Sequence, residues 1–152
     1  MKRFEIASPI KGTVIRQEDM KDEAFGSGAL GKGAAVLPEE GKVYAPADGV
    51  ISAFFPTLHA LGITTDFGAE LLIHVGLDTV QLNGEGFQAF AAEGDRVKKG
   101  QLLLEFDQEF IKSKGYCLET PVLVTNADDY LEVAETLAEQ VNCGDELLKI
   151  LD

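Results

Sequence analysis

The 152-residue sequence is poor in basic residues and in histidine. Its 13 Lys and Arg residues stand against 26 Asp and Glu residues, which gives a formal net charge of −13. A surface this negative repels nucleic-acid phosphates and anionic lipids, which argues against a general role in binding either. The two histidines, His59 and His74, are the only residues of their type.

Long apolar runs and an export signal are also lacking. No stretch approaches the roughly 20 apolar residues of a membrane-spanning helix, and Met1–Ile6 has no secretory apolar core. Cys117 and Cys143 do not have the spacing of a metal site. We therefore expect a cytoplasmic protein with reduced cysteines, and we assign neither cysteine a mechanistic role.

What the sequence does contain is a series of short apolar runs separated by its 16 glycines and five prolines. The length, with 45% hydrophobic and 26% charged residues, is typical of one globular domain, which we assign to residues 1–152. Apolar runs at this close spacing favour an all-β sandwich or barrel. The predicted strands cover residues 12–15, 42–45, 50–54, 60–64, 69–75, 101–106 and 122–125.

Two segments have the pattern of helices. Residues 128–141 carry apolar side chains three and four positions apart, and Gly144 follows where a C-terminal glycine is common. Residues 108–113 fit a shorter helix. The sequence therefore predicts a mainly β fold with a minor helical part.

Internal similarity indicates a duplicated β architecture. Ser8–Val14 resembles Ala45–Ile51, with proline at the strand entry and glycine three residues later, and Thr120–Val122 begins a weaker third copy. The segment Gly94–Gly100 is predicted to form a turn, and its first residues resemble the start of Gly144–Leu148.

The two histidines lie on neighbouring predicted strands. If Thr65–Gly68 forms a four-residue hairpin loop, Thr64 faces Ala69 and His59 faces His74. Residues directly opposite on one face have Cβ atoms about 4.5–5.5 Å apart. This register therefore predicts a facing histidine pair.

The chemistry of such a pair leaves three functions open. Apolar neighbours favour neutral imidazoles, and each neutral ring has one lone-pair nitrogen. That nitrogen suits a phosphoryl acceptor, or a zinc-dependent hydrolase in which Asp78 is the third ligand. The third possibility is a regulatory binding module that uses the apolar patch around His74.

The segment Gly68–Val80 resembles the active-site signature of glucose-type EIIA domains (EIIA type 1) of the bacterial phosphoenolpyruvate-dependent sugar phosphotransferase system. The resemblance continues through Gln81–Phe87, the Gly94–Gly100 turn and the proline-containing repeats, and so covers nearly the whole chain. It implies a flattened antiparallel β-sandwich of the duplicated hybrid motif type.

The resemblance also implies a site. His74 matches the phosphorylated histidine, with Nε2 as the nucleophile, His59 matches the histidine that hydrogen-bonds the phosphoryl group, and Thr57 matches the threonine that supports His59. A hydrogen bond from Nδ1–H of His74 to a nearby carbonyl, such as that of Gly76, would hold the required tautomer. The leading hypothesis is therefore a phosphotransferase that works through a phosphohistidine.

The implied partners are the histidine phosphocarrier protein as donor and a cysteine of the IIB domain of a sugar permease as acceptor. We expect a monomer that needs no metal or organic cofactor, although the two histidines can take up adventitious zinc. We also expect it to be cytoplasmic, either free or tethered at the inner face of the membrane as part of a permease. The sequence does not identify the sugar, because this site contacts proteins. The resemblance places seven residues in the partner interface: Asp22, Phe25, Leu30, Phe55, Leu72, Asp78 and Val80.

Overall fold

Short strands dominate the computed structural model, which describes residues 2–152. The strands are β1 (Arg3–Ala7), β2 (Gly12–Arg16), β3 (Lys32–Pro38), β4 (Lys42–Tyr44), β5 (Gly49–Phe54), β6 (Ala60–Thr65), β7 (Glu70–His74), β8 (Phe87–Ala89), β9 (Arg96–Val97), β10 (Leu102–Phe106), β11 (Thr120–Val124), β12 (Glu132–Glu135), β13 (Gln140–Val141) and β14 (Glu146–Leu151). The helices are α1 (Glu23–Gly26) and α2 (Gln108–Ser113), with 3₁₀ turns at Gln17–Asp19, Thr79–Leu82 and Ala127–Asp129. Within this described range, no helix has the length and apolar character needed to cross a membrane.

The strands form three antiparallel sheets. The large sheet has the order β13-β2-β3-β11-β7-β6-β5-β9, and the small sheets have the orders β1-β14-β12 and β4-β10-β8. Buried side chains from all three sheets, including Ile6, Val43 and Ile73, form one apolar core. The small sheets therefore cover one face of the large sheet, which confirms the predicted β-sandwich with minor helix. The ladder between β1 and β14 is extended by Lys2 and Asp152, which exchange backbone hydrogen bonds of 3.1 and 2.9 Å.

Side-chain alternation in the large sheet determines the face on which His74 lies. In β7, Leu71 and Ile73 belong to the main core, whereas Leu72 packs on the opposite face together with Leu123 of β11. Because successive side chains in a strand point to opposite faces, His74 lies on the same face as Leu72. We call the apolar group on this face the outer cluster; its members are Ile15, Met20, Phe25, Ala35, Leu72, Leu77 and Leu123.

Backbone hydrogen bonds relate the two proline-containing repeats. The N–H of Ala7 donates to the carbonyl of Pro46 at 3.1 Å, and the N–H of Tyr44 donates to the carbonyl of Pro9 at 2.9 Å. When the two repeats are aligned, Ala7 corresponds to Tyr44 and Pro9 to Pro46, so each bond is the counterpart of the other. The similarity between residues 8–14 and 45–51 therefore reflects equivalent places in the fold.

The similarity between the Gly94–Gly100 turn and Gly144–Leu148 also has a structural basis, but Gly144 corresponds to a different glycine of the turn. The N–H of Gly100 donates to the carbonyl of Ala45 at 2.9 Å, just as the N–H of Gly144 donates to that of Ser8 at 3.1 Å. Gly144–Leu148 is thus equivalent to Gly100–Leu104, the end of the predicted turn and the strand after it. The sequence analysis matches Gly144 with Gly94, whereas the structure matches it with Gly100, six residues later.

The seven predicted strands all overlap observed strands, and α2 has the predicted bounds 108–113. The predicted helix over residues 128–141 is wrong. This segment forms a 3₁₀ turn followed by β12 and β13, and two of the apolar residues that suggested a helix, Leu131 and Leu137, are 73% and 86% exposed. Pairing of β12 with β14 and of β13 with β2 overrides the local apolar periodicity.

The predicted hairpin register between the histidine strands is also wrong by one residue. Thr64 pairs with Glu70, and Ala60 rather than His59 pairs with His74. The loop has three residues, because the N–H of Thr65 donates to the carbonyl of Ala69 at 2.9 Å. Within this loop Gly68 has a φ of 100°, as expected of a three-residue hairpin loop that ends in a left-handed residue.

Substitutions at Gly68 test this loop. A Cβ there would have room, since the nearest atom is the hydroxyl oxygen of Tyr130 at 3.5 Å, so backbone strain sets the cost. We expect Gly68→Val to lower the free energy of unfolding by about 1–2 kcal/mol. Gly68→Asn should cost less, because asparagine tolerates the left-handed region. Urea denaturation measures both, and equal losses would contradict the assigned loop conformation.

Candidate functional site

His74 is the last residue of β7, and the chain turns immediately after it. Its Nδ1 lies 2.7 Å from the carbonyl oxygen of Gly76. Because a carbonyl only accepts, Nδ1 carries the hydrogen and donates it. In the neutral ring Nε2 is therefore unprotonated and has its lone pair available, as the sequence predicts.

Glycine is required at position 76. Its φ is 78°, and a Cβ would lie 2.6 Å from Cγ2 of Thr79 and 2.9 Å from the carbonyl oxygen of Cys117. That carbonyl accepts from the N–H of Leu77 at 2.9 Å, and the Thr79 hydroxyl donates at 2.5 Å to the carbonyl of the residue before the glycine. Thr79 and Cys117, neither of which the sequence assigns to the site, thus fix the turn that orients His74.

His59 precedes β6 and is only 2% exposed. Its Nδ1 lies 2.7 Å from Oγ1 of Thr57, the threonine that the resemblance implies as its support. Leu58, the residue before His59, has a φ of 63°, and the carbonyl of His59 accepts from the N–H of Val75 at 2.7 Å. The ring centroids of His59 and His74 are 4.8 Å apart with an interplanar angle of 83°. The predicted proximity of the histidines is confirmed, although the strand partner of His74 is Ala60 rather than His59.

The surroundings keep both imidazoles neutral. Burial, together with the neighbouring His74, lowers the pKa of His59 from 6.5 to about 4, although the backbone carbonyl of Thr57 opposes this. Burial also lowers the pKa of His74, against the opposing effects of the Gly76 hydrogen bond and of the Asp22 and Asp78 charges.

Aromatic rings surround the histidine pair. The Phe25 ring centroid is 4.9 Å from that of His74, and the exposed Phe55 ring meets His59 edge-on at 5.5 Å. Leu72 lies in the outer cluster with Phe25. The two other apolar residues predicted for the partner interface, Leu30 and Val80, are exposed.

The two predicted acidic interface residues have distinct positions. Asp22 caps α1 by accepting from the N–H of Ala24 at 2.8 Å, and so it stabilises the short helix that carries Phe25. Asp78 is exposed and has a φ of 61° at the start of the 79–82 turn. Both carboxylates raise the pKa of His74, which indicates that they lie close enough to act on it electrostatically.

A three-ligand metal site does not form at the histidine pair. Among residues 2–152, no three His, Cys, Asp or Glu side chains are grouped so that they can hold a metal ion. The zinc-hydrolase hypothesis needs three protein ligands, and here the two histidines are close together without Asp78 completing the set.

The fold and site together define a class: an antiparallel β-sandwich that carries, on an apolar face, a histidine with a free Nε2 beside a second histidine. The family model for the phosphoenolpyruvate-dependent sugar phosphotransferase system, EIIA 1, matches residues 4–130. The chain belongs to this family, as the sequence resemblance predicts.

Curated and solved relatives agree with this family. The chain is 44% identical over 140 residues to the glucose-specific EIIA component of Halalkalibacterium halodurans, covering 92% of this chain and 81% of that protein. It is 56% identical over 146 residues to the beta-glucoside-specific EIIBCA component of the same organism. That match covers 96% of this chain but only 23% of the longer protein. The solved glucose permease IIA from Mycoplasma capricolum has a TM-score of 0.88 and 32% identity, with coverage of 98% and 96%.

The lowered histidine pKa values predict a pH dependence of stability. Between pH 6.5 and about 4 the unfolded chain binds a proton that folded His59 does not bind, so the free energy of unfolding falls as the pH is lowered through this window. Chemical denaturation at several pH values measures the effect, and His59→Gln should reduce it because the titrating group is gone. A pH profile that His59→Gln leaves unchanged would contradict the neutral, buried state of this ring.

Proposed function

We propose that His74 accepts a phosphoryl group from the phosphohistidine of the histidine phosphocarrier protein and passes it to a cysteine of a IIB domain. The observation that carries the proposal is the 2.7 Å contact between Nδ1 of His74 and the Gly76 carbonyl, which leaves Nε2 as the nucleophile. Fusion of similar chains into EIIBCA proteins supports a IIB partner. A phosphoryl-carrier role also fits the sugar phosphotransferase family to which the chain belongs.

In the proposed transfer, the Nε2 lone pair of His74 forms a bond to phosphorus while the bond between phosphorus and the donor's imidazole nitrogen breaks. The donor nitrogen keeps the electron pair of the broken bond. Phosphoryl transfer depends mainly on in-line positioning and charge stabilisation. The fixed tautomer of His74 supplies the positioning, and no step requires a metal or an organic cofactor. In the second transfer a IIB thiolate attacks phosphorus and Nε2 recovers its lone pair.

His59 stabilises the transferred group in this mechanism. When the Thr57 hydroxyl donates to Nδ1 of His59, the neutral ring carries its hydrogen on Nε2 and can donate it to a phosphoryl oxygen. A dianionic phosphoryl group on the adjacent ring would raise the pKa of His59 and strengthen this bond. The two histidines thus have different roles, although both are neutral beforehand.

The surrounding surface suits docking of the two partner proteins. Apolar side chains that exclude water protect a phosphohistidine from hydrolysis, and Phe25 and Phe55 lie beside the two rings. Asp22 and Asp78 supply negative charge at the edge of this surface, and the net charge of −13 favours encounter with basic faces. We propose that Leu30, Leu72 and Val80 complete the same interface.

Phosphorylation by the complete upstream system tests the proposal. With phosphoenolpyruvate, enzyme I and the phosphocarrier, we expect the mass of one phosphoryl group to be added, and to be lost in acid but stable in alkali. His74→Ala should abolish the addition, whereas His59→Gln, which keeps an N–H donor, should still accept the group. Intact-mass spectrometry before and after acid treatment gives the result.

Two outcomes would contradict the proposal. No added mass with active upstream proteins would exclude the carrier role, and partner binding that survives His74→Gln would then favour the regulatory binding module. Added mass that persists in His74→Ala would place the phosphoryl group on another residue.

The support of His59 by Thr57 is tested by a matched pair of variants. Thr57→Val keeps the shape but removes the hydroxyl that fixes the His59 ring, so we expect transfer to the IIB domain to slow by about tenfold or more. Thr57→Ser keeps the hydroxyl and should remain close to the unsubstituted protein. Rapid-quench measurement of the single-turnover transfer rate distinguishes the valine variant from the serine variant. Equal rates for the valine and serine variants would show that the hydroxyl does not contribute.

A further inference from the structure

The loop of residues 17–31 covers the face next to His74 and has little regular structure of its own. It contains one 3₁₀ turn and the four-residue helix α1. The loop nevertheless places the buried Phe25 ring 4.9 Å from the His74 ring, centroid to centroid. Contacts outside the helix must therefore fix the position of Phe25.

Besides packing in the outer cluster, the loop is held by the side-chain amide of Gln17. Its Nε2 donates to the carbonyl of Phe25 at 3.0 Å and to that of Gly31 at 2.8 Å, and its Oε1 accepts from the N–H of Gly33 at 3.2 Å. Two backbone acceptors and one backbone donor match the two N–H groups and the carbonyl of an amide. One side chain thus ties the middle of the loop, its end and the start of β3 together.

Two carboxylates from distant parts of the chain, one on β12 and one just before β11, anchor the first part of the loop. The N–H of Gln17 donates to Oε1 of Glu135 at 3.0 Å, and the N–H of Lys21 donates to Oε1 of Glu119 at 3.1 Å. Glu119 is only 4% exposed, so its carboxylate is held in place. Gln17 is therefore fixed to β12 while its amide fixes the loop.

We infer that Gln17 is a positioning residue: its amide holds the Phe25 backbone so that the ring stays against His74 and the loop presents a preformed surface to the phosphocarrier. A preformed surface binds more tightly, because less conformational freedom is lost on association. The effect on docking rests on the proposed function, whereas the effect on the contact between Phe25 and His74 does not.

Gln17→Glu tests the inference with little change in size. It replaces Nε2 by a carboxylate oxygen that faces two carbonyl oxygens, so both donated hydrogen bonds are lost. We expect weaker nuclear Overhauser effects between the Phe25 and His74 rings. We also expect the KM for the phosphocarrier to rise about tenfold with kcat within about twofold of the unsubstituted value.

Two further variants complete the test. Gln17→Met removes the hydrogen bonds without adding charge and decides the question if Gln17→Glu does not fold. Gln140→Met is the matched control, because Gln140 donates from its amide to Oγ1 of Thr13 at 2.9 Å on strand β13. This control should leave both the ring contact and the KM unchanged.

Each outcome bears on a separate part of the inference. An undiminished ring contact in folded Gln17 variants would overturn the positioning role. A lost contact with an unchanged KM would overturn the docking role and keep the positioning role. If the unsubstituted protein accepts no phosphoryl group, the proposed function fails, and the ring contact alone still decides whether Gln17 positions Phe25.

Discussion

The hydrogen bond from Nδ1 of His74 to the carbonyl of Gly76 is the interaction on which the site depends. It selects the tautomer that exposes the Nε2 lone pair, and it requires the backbone to turn back within two residues of the strand end. That turn needs the positive φ of Gly76 and the close packing of Thr79 and Cys117 against it. The free Nε2 of His74 is thus prepared mainly by backbone conformation.

The architecture was largely predictable, because strand pairing in a sandwich leaves a local signature of apolar runs and turn glycines. The segment 128–141 shows the limit of such signatures. Its apolar spacing fits a helix, but β14 and β2 provide strand edges with which it pairs, and those partners are remote in sequence. The exposed Leu131 and Leu137 contribute to the helical pattern without being buried in the folded chain.

The candidate site residues came from a family resemblance, and their pairing across the strands could not be read from the sequence. Resemblance to a family names His74, His59 and Thr57, and the structure places Thr57 within hydrogen-bonding distance of His59 and the His59 ring beside that of His74. The predicted register failed by one residue, because a three-residue loop and a four-residue loop are hard to distinguish by sequence. His59 nevertheless lies beside His74, because its carbonyl accepts from the N–H of Val75, the next residue after His74, at 2.7 Å. Long-range contacts such as those of Gln17 leave no periodic pattern to detect.

The pairing of Lys2 with Asp152 has a consequence for how such a domain combines with others. Since the two residues exchange backbone hydrogen bonds, the points of attachment for a preceding and a following segment lie side by side. A neighbouring domain can then be joined at either end, or this unit can be inserted into a host loop, without altering the sheet that bears the histidines. Modular exchange of the unit between polypeptides is therefore built into its topology.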